Sequence, residues 1–292
     1  VPRAAAELPG TIASLTPHEY RNPSELEPGG VLIVGASATG LQLADEIKKA
    51  GHEVIVATGE HVRMPRTYRG RDIQFWLHKT GILDEGLDVI DDINRARNLP
   101  SPQLIGAHDP RILDLNCLTG AGVSVVGKLM SLRGTTAMFS GSLKNVCALA
   151  DLKMNRMLQT IDEWVAMNPG AIEGSDDARI GNPERFDPTR VDEKPALAID
   201  LREHGVKTVI WCTGFRPDYS WLNVDVTDHK GRIRHDGGVT AAPGLYVVGL
   251  PVLRRRKSSF IHGAEDDVNE IGEHLFRFLD TSAEQIEATP SC

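Results

Sequence analysis

Residues Val31–Glu60 read VLIVGASATGLQLADEIKKAGHEVIVATGE, and no other stretch of the chain restricts its fold so tightly. An apolar run, a glycine turn, an amphipathic segment and a second β-branched run follow in the order of a dinucleotide-binding βαβ unit. Val31–Val34 predicts a strand. Leu41–Ala50 predicts a helix, with Leu41, Ala44 and Ile47 on an apolar face edged by Lys48. Gly51 ends it as a C′ glycine, and His52–Ala57 predicts a strand of the type buried in parallel sheets.

In Gly35-Ala36-Ser37-Ala38-Thr39-Gly40 the first glycine permits the tight turn, and Gly40 lets helix and sheet pack closely. Ser37 stands where a middle glycine is usual. It is small and adds a hydroxyl donor beside a helix N-terminus, which favours anions. The alternative is a tight strand–helix turn with no ligand. NAD-type units place an acid about 20 residues past the glycines to hold the ribose 2′-hydroxyl. Here Ala57, Thr58 and Gly59 occupy that place, Glu60 comes one step late, and Arg63, Arg66, Arg69 and Arg71 follow. A missing carboxylate beside guanidinium groups favours a 2′-phosphate, hence NADPH. A solvated basic loop is the alternative reading.

The 292 residues suffice for two domains, and 41% apolar with 25% charged residues is an ordinary globular balance. The net charge of −8 argues against a general nucleic-acid binder. Apolar runs such as LYVVGL are too short for a transmembrane span, and the N-terminus lacks the apolar core of a signal peptide. Cys117, Cys147, Cys212 and Cys292 are dispersed, without a CxxC pair. That pattern fits free thiols in a reducing cytosol rather than a disulfide framework, zinc ribbon or dithiol centre.

Further along, residues 61–73 form a basic loop and residues 74–83 open a second helix. Val123–Leu132 and Thr135–Phe139 predict two strands turning at Arg133–Gly134. Leu143–Met167 predicts a long helix with Leu149, Leu152, Met157, Leu158, Ile161, Trp164 and Val165 largely on one side. Pro195–His204 reads as a helix, and Val206–Trp211 as a strand leading into Cys212-Thr213-Gly214-Phe215. Gly244–Pro251 reads as a strand ending at Gly249, before a loop and a closing helix. Arg254, Arg255, Arg256 and Lys257 read as a solvated basic loop, with flavin or substrate anions as the other possibility. His262 reads as a cap or surface histidine, and Asp266 and Asp267 as first-turn helix acids.

The GASATG turn, the HVRMPRTYRGRDI loop, the CTGF turn and GLYVVGLP together resemble the flavin-containing monooxygenase-like flavoproteins, the broad group of CzcO-type FAD-dependent oxidoreductases. The resemblance covers Val1 to about Leu279. Members carry an FAD-binding domain interrupted by an NADPH-binding domain, and an alanine-threonine-glycine-aromatic motif marks the return to the first. Cys212 replaces that alanine here. The resemblance implies an α/β fold: a Rossmann-like NADP-binding domain plus the C-terminal part of a second, Rossmann-like FAD-binding domain. Residues 1–29 would be a connecting segment, 30–168 the NADPH domain, 169–194 a crossover loop and 195–292 the FAD part. The family's first glycine motif and its Phe-Gly-His-aromatic fingerprint are not found before Gly35. The chain is therefore expected to correspond to the C-terminal two-thirds of such an enzyme, either truncated or naturally short, and the initial Val favours truncation.

The implied cofactors are NADP and FAD. NADPH would give hydride to FAD, and the reduced flavin would activate oxygen at C4a for a small-molecule substrate. By the same resemblance Gly35, Ala36, Ser37, Ala38, Thr39 and Gly40 take the NADP pyrophosphate, and Thr58, Arg63 and Arg66 the adenosine phosphate. Thr213 and Gly214 mark the nicotinamide–flavin junction, and Gly249, Leu250 and Pro251 the remaining FAD surface. No catalytic acid or base and no metal site is identified. Two other readings stay open: an NADPH oxidase or flavin reductase that does not oxygenate, and a catalytically silent NADP(H)-binding module.

Overall fold

The computed structural model describes residues 1–106, 111–169 and 180–287. Much of the expected crossover loop, and Cys292, lie outside them. In chain order the elements are β1 (Ala13–Leu15), β2 (Gly30–Val34), α1 (Ala38–Lys49), β3 (Val54–Thr58), β4 (Thr67–Tyr68), β5 (Arg71–Asp72), α2 (Ile73–Lys79), α3 (Ile93–Arg97) and α4 (Leu115–Gly120). Then follow β6 (Ser124–Gly127), β7 (Leu129–Arg133), β8 (Thr136–Phe139), α5 (Leu143–Met167), β9 (Ala198–Asp200), β10 (Val206–Trp211), β11 (His235–Asp236), β12 (Val239–Thr240) and α6 (Ala264–Glu287).

The chain divides into two units, Val1–Trp76 with Leu99–Gly214, and Leu77–Asn98 with Phe215–Cys292. The first is built on a parallel sheet of order β1-β10-β2-β3-β6. All five residues of β2 are buried, as a central strand covered on both faces requires. Alternation assigns its side chains. Val31 and Ile33 join Leu41, Ala44 and Ile47 of α1, Leu118 of α4 and Leu143 of α5 in one core. Leu32 and Val34 join Leu132, Ala137, Phe139 and Ile199 of the antiparallel sheet β7-β8-β9 in the other. Each valine, leucine, isoleucine or phenylalanine among them contributes about 1.5–3 kcal/mol on full burial.

Helix α1 begins three residues earlier than its apolar pattern indicates: Ser37, with extended backbone, takes the N-cap place, and the second half of the glycine turn becomes the first helical turn. Gly51, at φ +96°, follows its last turn as expected. Helix α5 has the expected bounds but another buried face. Leu143, Cys147, Ala150, Met154, Leu158 and Ile161 point inward, while Leu149 and Leu152 are exposed. Steps of three and four residues fix that stripe.

Four other expectations are corrected. Val123–Leu132 is two strands in two sheets, broken at Lys128. Gly127 lies so close to Ser140 that an added Cβ would stand 1.9 Å from its carbonyl oxygen. Pro195–His204 is not a helix: Ile199 and Leu201 are buried with period two, and β9 pairs with β8, so tertiary pairing overrides helix propensity. Gly244–Pro251 forms only one bridge, Val239 to Tyr246, rather than a strand. Finally, β10 sits inside the parallel sheet and β1 pairs with it, so the units divide after Gly214, not at residue 195, and residues 1–29 are more than a connector.

The second unit contains α3, the β11–β12 hairpin and α6. No helix among the described residues is long and apolar enough to cross a membrane.

Candidate functional site

From β2 the chain passes through α1 to β3 on one side, while β10 lies on the other side of β2. The strand order thus reverses between β2 and β10, and ligands of open α/β sheets bind at the carboxyl ends of strands at such a point. The glycine turn leaves β2 there. Gly35, at φ +119°, donates its amide to the Ala57 carbonyl at 2.9 Å. A Cβ on Gly35 would stand 2.2 Å from the Cys212 carbonyl oxygen, and one on Gly40 would stand 1.9 Å from the Gly35 carbonyl oxygen. Both glycines are therefore required by close backbone approach.

Ala36 is buried and its carbonyl accepts from Gln103 Nε2 at 2.9 Å. Ser37, Ala38 and Thr39 are half-buried. The Ser37 hydroxyl does not cap α1, which leaves first-turn amides without a side-chain acceptor. Thr213 and Gly214 are exposed and follow β10 directly after Cys212, at the same edge as the glycine turn. The structure thus brings Gly35 to Gly40 together with Thr213 and Gly214. Gly249, Leu250 and Pro251 belong to the second unit.

The adenosine-phosphate residues fare differently. Thr58 ends β3 fully buried, and its hydroxyl has no partner among the described residues. Arg63 is a correction. Its side chain is 6% exposed; it donates to Asp114 at 2.6 Å, to Asp151 at 2.7 Å and to the Asp187 carbonyl at 2.8 Å. Burial opposes its charge, but the hydrogen bonds it donates to Asp151 and Asp114 outweigh that and hold its pKa above the ordinary value. A guanidinium committed to two internal carboxylates is a core element, not a phosphate ligand. Arg66 pairs with Asp72 at 2.6 Å and stays partly accessible. The basic run of the second unit is likewise no solvated loop: Arg255 pairs with Asp267, Arg256 with Glu85, and Lys257 with Asp84 and Asp266. His262 is exposed, as expected, and its ring lies edge-on to His78.

Burial pushes the Cys212 thiol up to about 12 and the Cys147 thiol to about 11, so neither is a thiolate near neutral pH. Buried His61 is held below the usual histidine range by desolvation. Its Nδ1 lies 3.0 Å from the Gly59 carbonyl, which can only accept, so the neutral ring carries its proton on Nδ1.

Two residues at this edge were not legible in the sequence. Gln103 has no motif around it. Lys128 lies inside what reads as one continuous strand.

No family model matches the chain. Over 280 residues it is 26% identical to a protein named uncharacterized oxidoreductase CzcO-like, from Geobacillus kaustophilus (strain HTA426), covering 94% of this chain and 61% of that protein. Over 276 residues it is 24% identical to the uncharacterized oxidoreductase CzcO of Bacillus subtilis (strain 168), with the same shares covered. The chain is similar to these two proteins along nearly its whole length. It spans about three-fifths of their length. Among solved structures it is similar to a flavin-containing monooxygenase from Stenotrophomonas maltophilia and to a double mutant of it, each with TM-score 0.49 and 14% identity, covering 92% of this chain and 56% of the other.

Proposed function

We propose that the chain is the pyridine-nucleotide-binding part of an oxidoreductase that takes hydride from NADPH, in a protein of the flavin-containing monooxygenase type. One observation carries this reading: the glycine turn, closed by Cys212 at the strand-order reversal, presents uncapped α1 amides beside the exposed Thr213 and Gly214. These residues fit a dinucleotide pyrophosphate. A side chain at Gly35 or Gly40 would fill the close approach that the backbone makes there.

In this reading the α1 amides hold the pyrophosphate. Gln103 fixes the Ala36 peptide, and Thr213 and Gly214 border the place of the nicotinamide. Flavin, when bound, would supply the hydride acceptor and the chemistry toward oxygen. A Cβ on Gly249 would meet nothing within 4 Å, so no close backbone approach marks Gly249, Leu250 and Pro251 in the way that it marks Gly35 and Gly40. The flavin part of the proposal therefore rests on the motif resemblance and on the oxidoreductase names of the relatives.

Ser37→Asp tests the nucleotide site without breaking the fold. Aspartate is a favourable N-cap, so the melting temperature is expected to hold or rise. A carboxylate where the pyrophosphate sits should weaken NADPH binding at least about tenfold. Calorimetric titration that finds unchanged NADPH affinity in this variant would overturn the assignment.

A further inference from the structure

In NAD-type units the side chain at the end of the second strand holds the ribose 2′-hydroxyl. In this chain that position is Gly59, which has no side chain. Strand register pairs Thr58 with Gly127, so Gly59 and Lys128 leave β3 and β6 side by side. A Cβ placed on Gly59 would touch Lys128 Cγ at 3.6 Å and Cδ at 3.7 Å. The lysine stem thus lies against the place where the usual acid would project. Its residue is exposed, and its ammonium has no ion-pair partner among the described residues.

The other cations near this edge are engaged. Arg63 is locked between Asp114 and Asp151, Arg66 pairs with Asp72, and Lys153 pairs with Glu60 at 3.3 Å. The last pair offsets the Glu60 charge, the one carboxylate that follows the strand end directly. His61 holds the Gly59 carbonyl, which fixes the peptide on which the lysine stem rests.

We propose that Lys128 is the specificity-determining residue of the nucleotide site, its ammonium taking the 2′-phosphate of NADP(H) across Gly59. The assignment rests on the nucleotide reading of the first unit and deepens it. Arginines after β3, the residues expected to do this work, are replaced in it by a lysine at the end of β6.

The test is calorimetry on the full chain at one fixed ionic strength, with NADPH, NADH, 2′,5′-ADP and ADP as probes. Lys128→Ala is expected to weaken NADPH and 2′,5′-ADP about 10- to 100-fold, the range of a hydrogen bond to a charged group, and to leave NADH and ADP within about twofold. Lys128→Met, which keeps most of the stem, should show the same loss. Gly59→Asp, which sets a carboxylate against the ammonium, should lower NADPH affinity and raise the NADH-to-NADPH preference. Binding of NADPH by the wild-type chain with no loss in Lys128→Ala, or equal losses for NADPH and NADH, overturns the lysine assignment and leaves the nucleotide reading standing. A wild-type chain that binds none of the four probes overturns both.

Discussion

Arg63 shows how far a residue's chemistry depends on what surrounds it. In the sequence it is the first of four arginines in a basic loop, and a phosphate is the natural partner for such a group. In the fold it is one of the few buried charges, satisfied by two carboxylates and a carbonyl. Removing one member of such a network strands the others in a poor solvent, at a cost of about 3–5 kcal/mol. Arg63→Ala is therefore expected to lower the unfolding free energy measured in urea by that amount, with NADPH and NADH affected alike in whatever fraction stays folded. A stable variant that loses NADPH alone would return Arg63 to the site. The partners Asp114, Asp151 and Asp187 are scattered along the sequence, and no local pattern announces them. Gly35 and Gly40 were legible for the opposite reason: their constraint is set within six residues and only confirmed by Cys212.

At the scale of elements, the glycine turn and α1 form one device, and its tolerance can be measured. Gly40→Ala places a Cβ 1.9 Å from the Gly35 carbonyl oxygen, so the turn must move. A loss of about 1–3 kcal/mol is expected, together with loss of nucleotide binding. Gly120, at the end of α4, has nothing within 4 Å of an added Cβ and no positive φ. Gly120→Ala should therefore be neutral or stabilising by up to about 1 kcal/mol. Chemical denaturation of the two variants side by side checks both, and equal effects would contradict the packing described. Local pattern sufficed to place β2, α1, β3 and α5, though not to pick the buried face of α5. It failed for β9, where alanine, leucine and charged residues favour helix locally but β8 supplies the backbone partners. It failed again at Lys128, because β6 ends where Gly127 packs against Ser140, a contact that nothing in the sequence around Gly127 announces.

At the scale of the molecule the two units differ in what holds them. The first has two buried cores, one on each face of a five-stranded sheet. The second pairs only a two-stranded hairpin with helices and exposes large apolar groups, among them Trp221 at 72%, Phe276 at 70% and Ile261 at 98%. Local opening should follow that difference. In hydrogen exchange, amides of α6 and the β11–β12 hairpin are expected to lose protection well before those of β2, β3 and β10. Equal protection across both units would show that the second is held by more than the contacts described. The parallel sheet itself was legible from a single βαβ unit. The place of β10 was not, because its neighbours β1 and β2 lie far back in the chain.

That placement sets an order of events during synthesis. A growing chain has β2, α1 and β3 in hand long before it has β10, and until then one edge of β2 is open and β1 has nothing to pair with. The carbonyl of Cys212 that closes the glycine turn arrives later still. Contacts of such separation are slow to form because a long loop must close before any of them is rewarded. Synthesis must thus run past Cys212 before the glycine turn can take its final form, and an interruption anywhere earlier leaves an unpaired strand edge exposed to neighbouring chains.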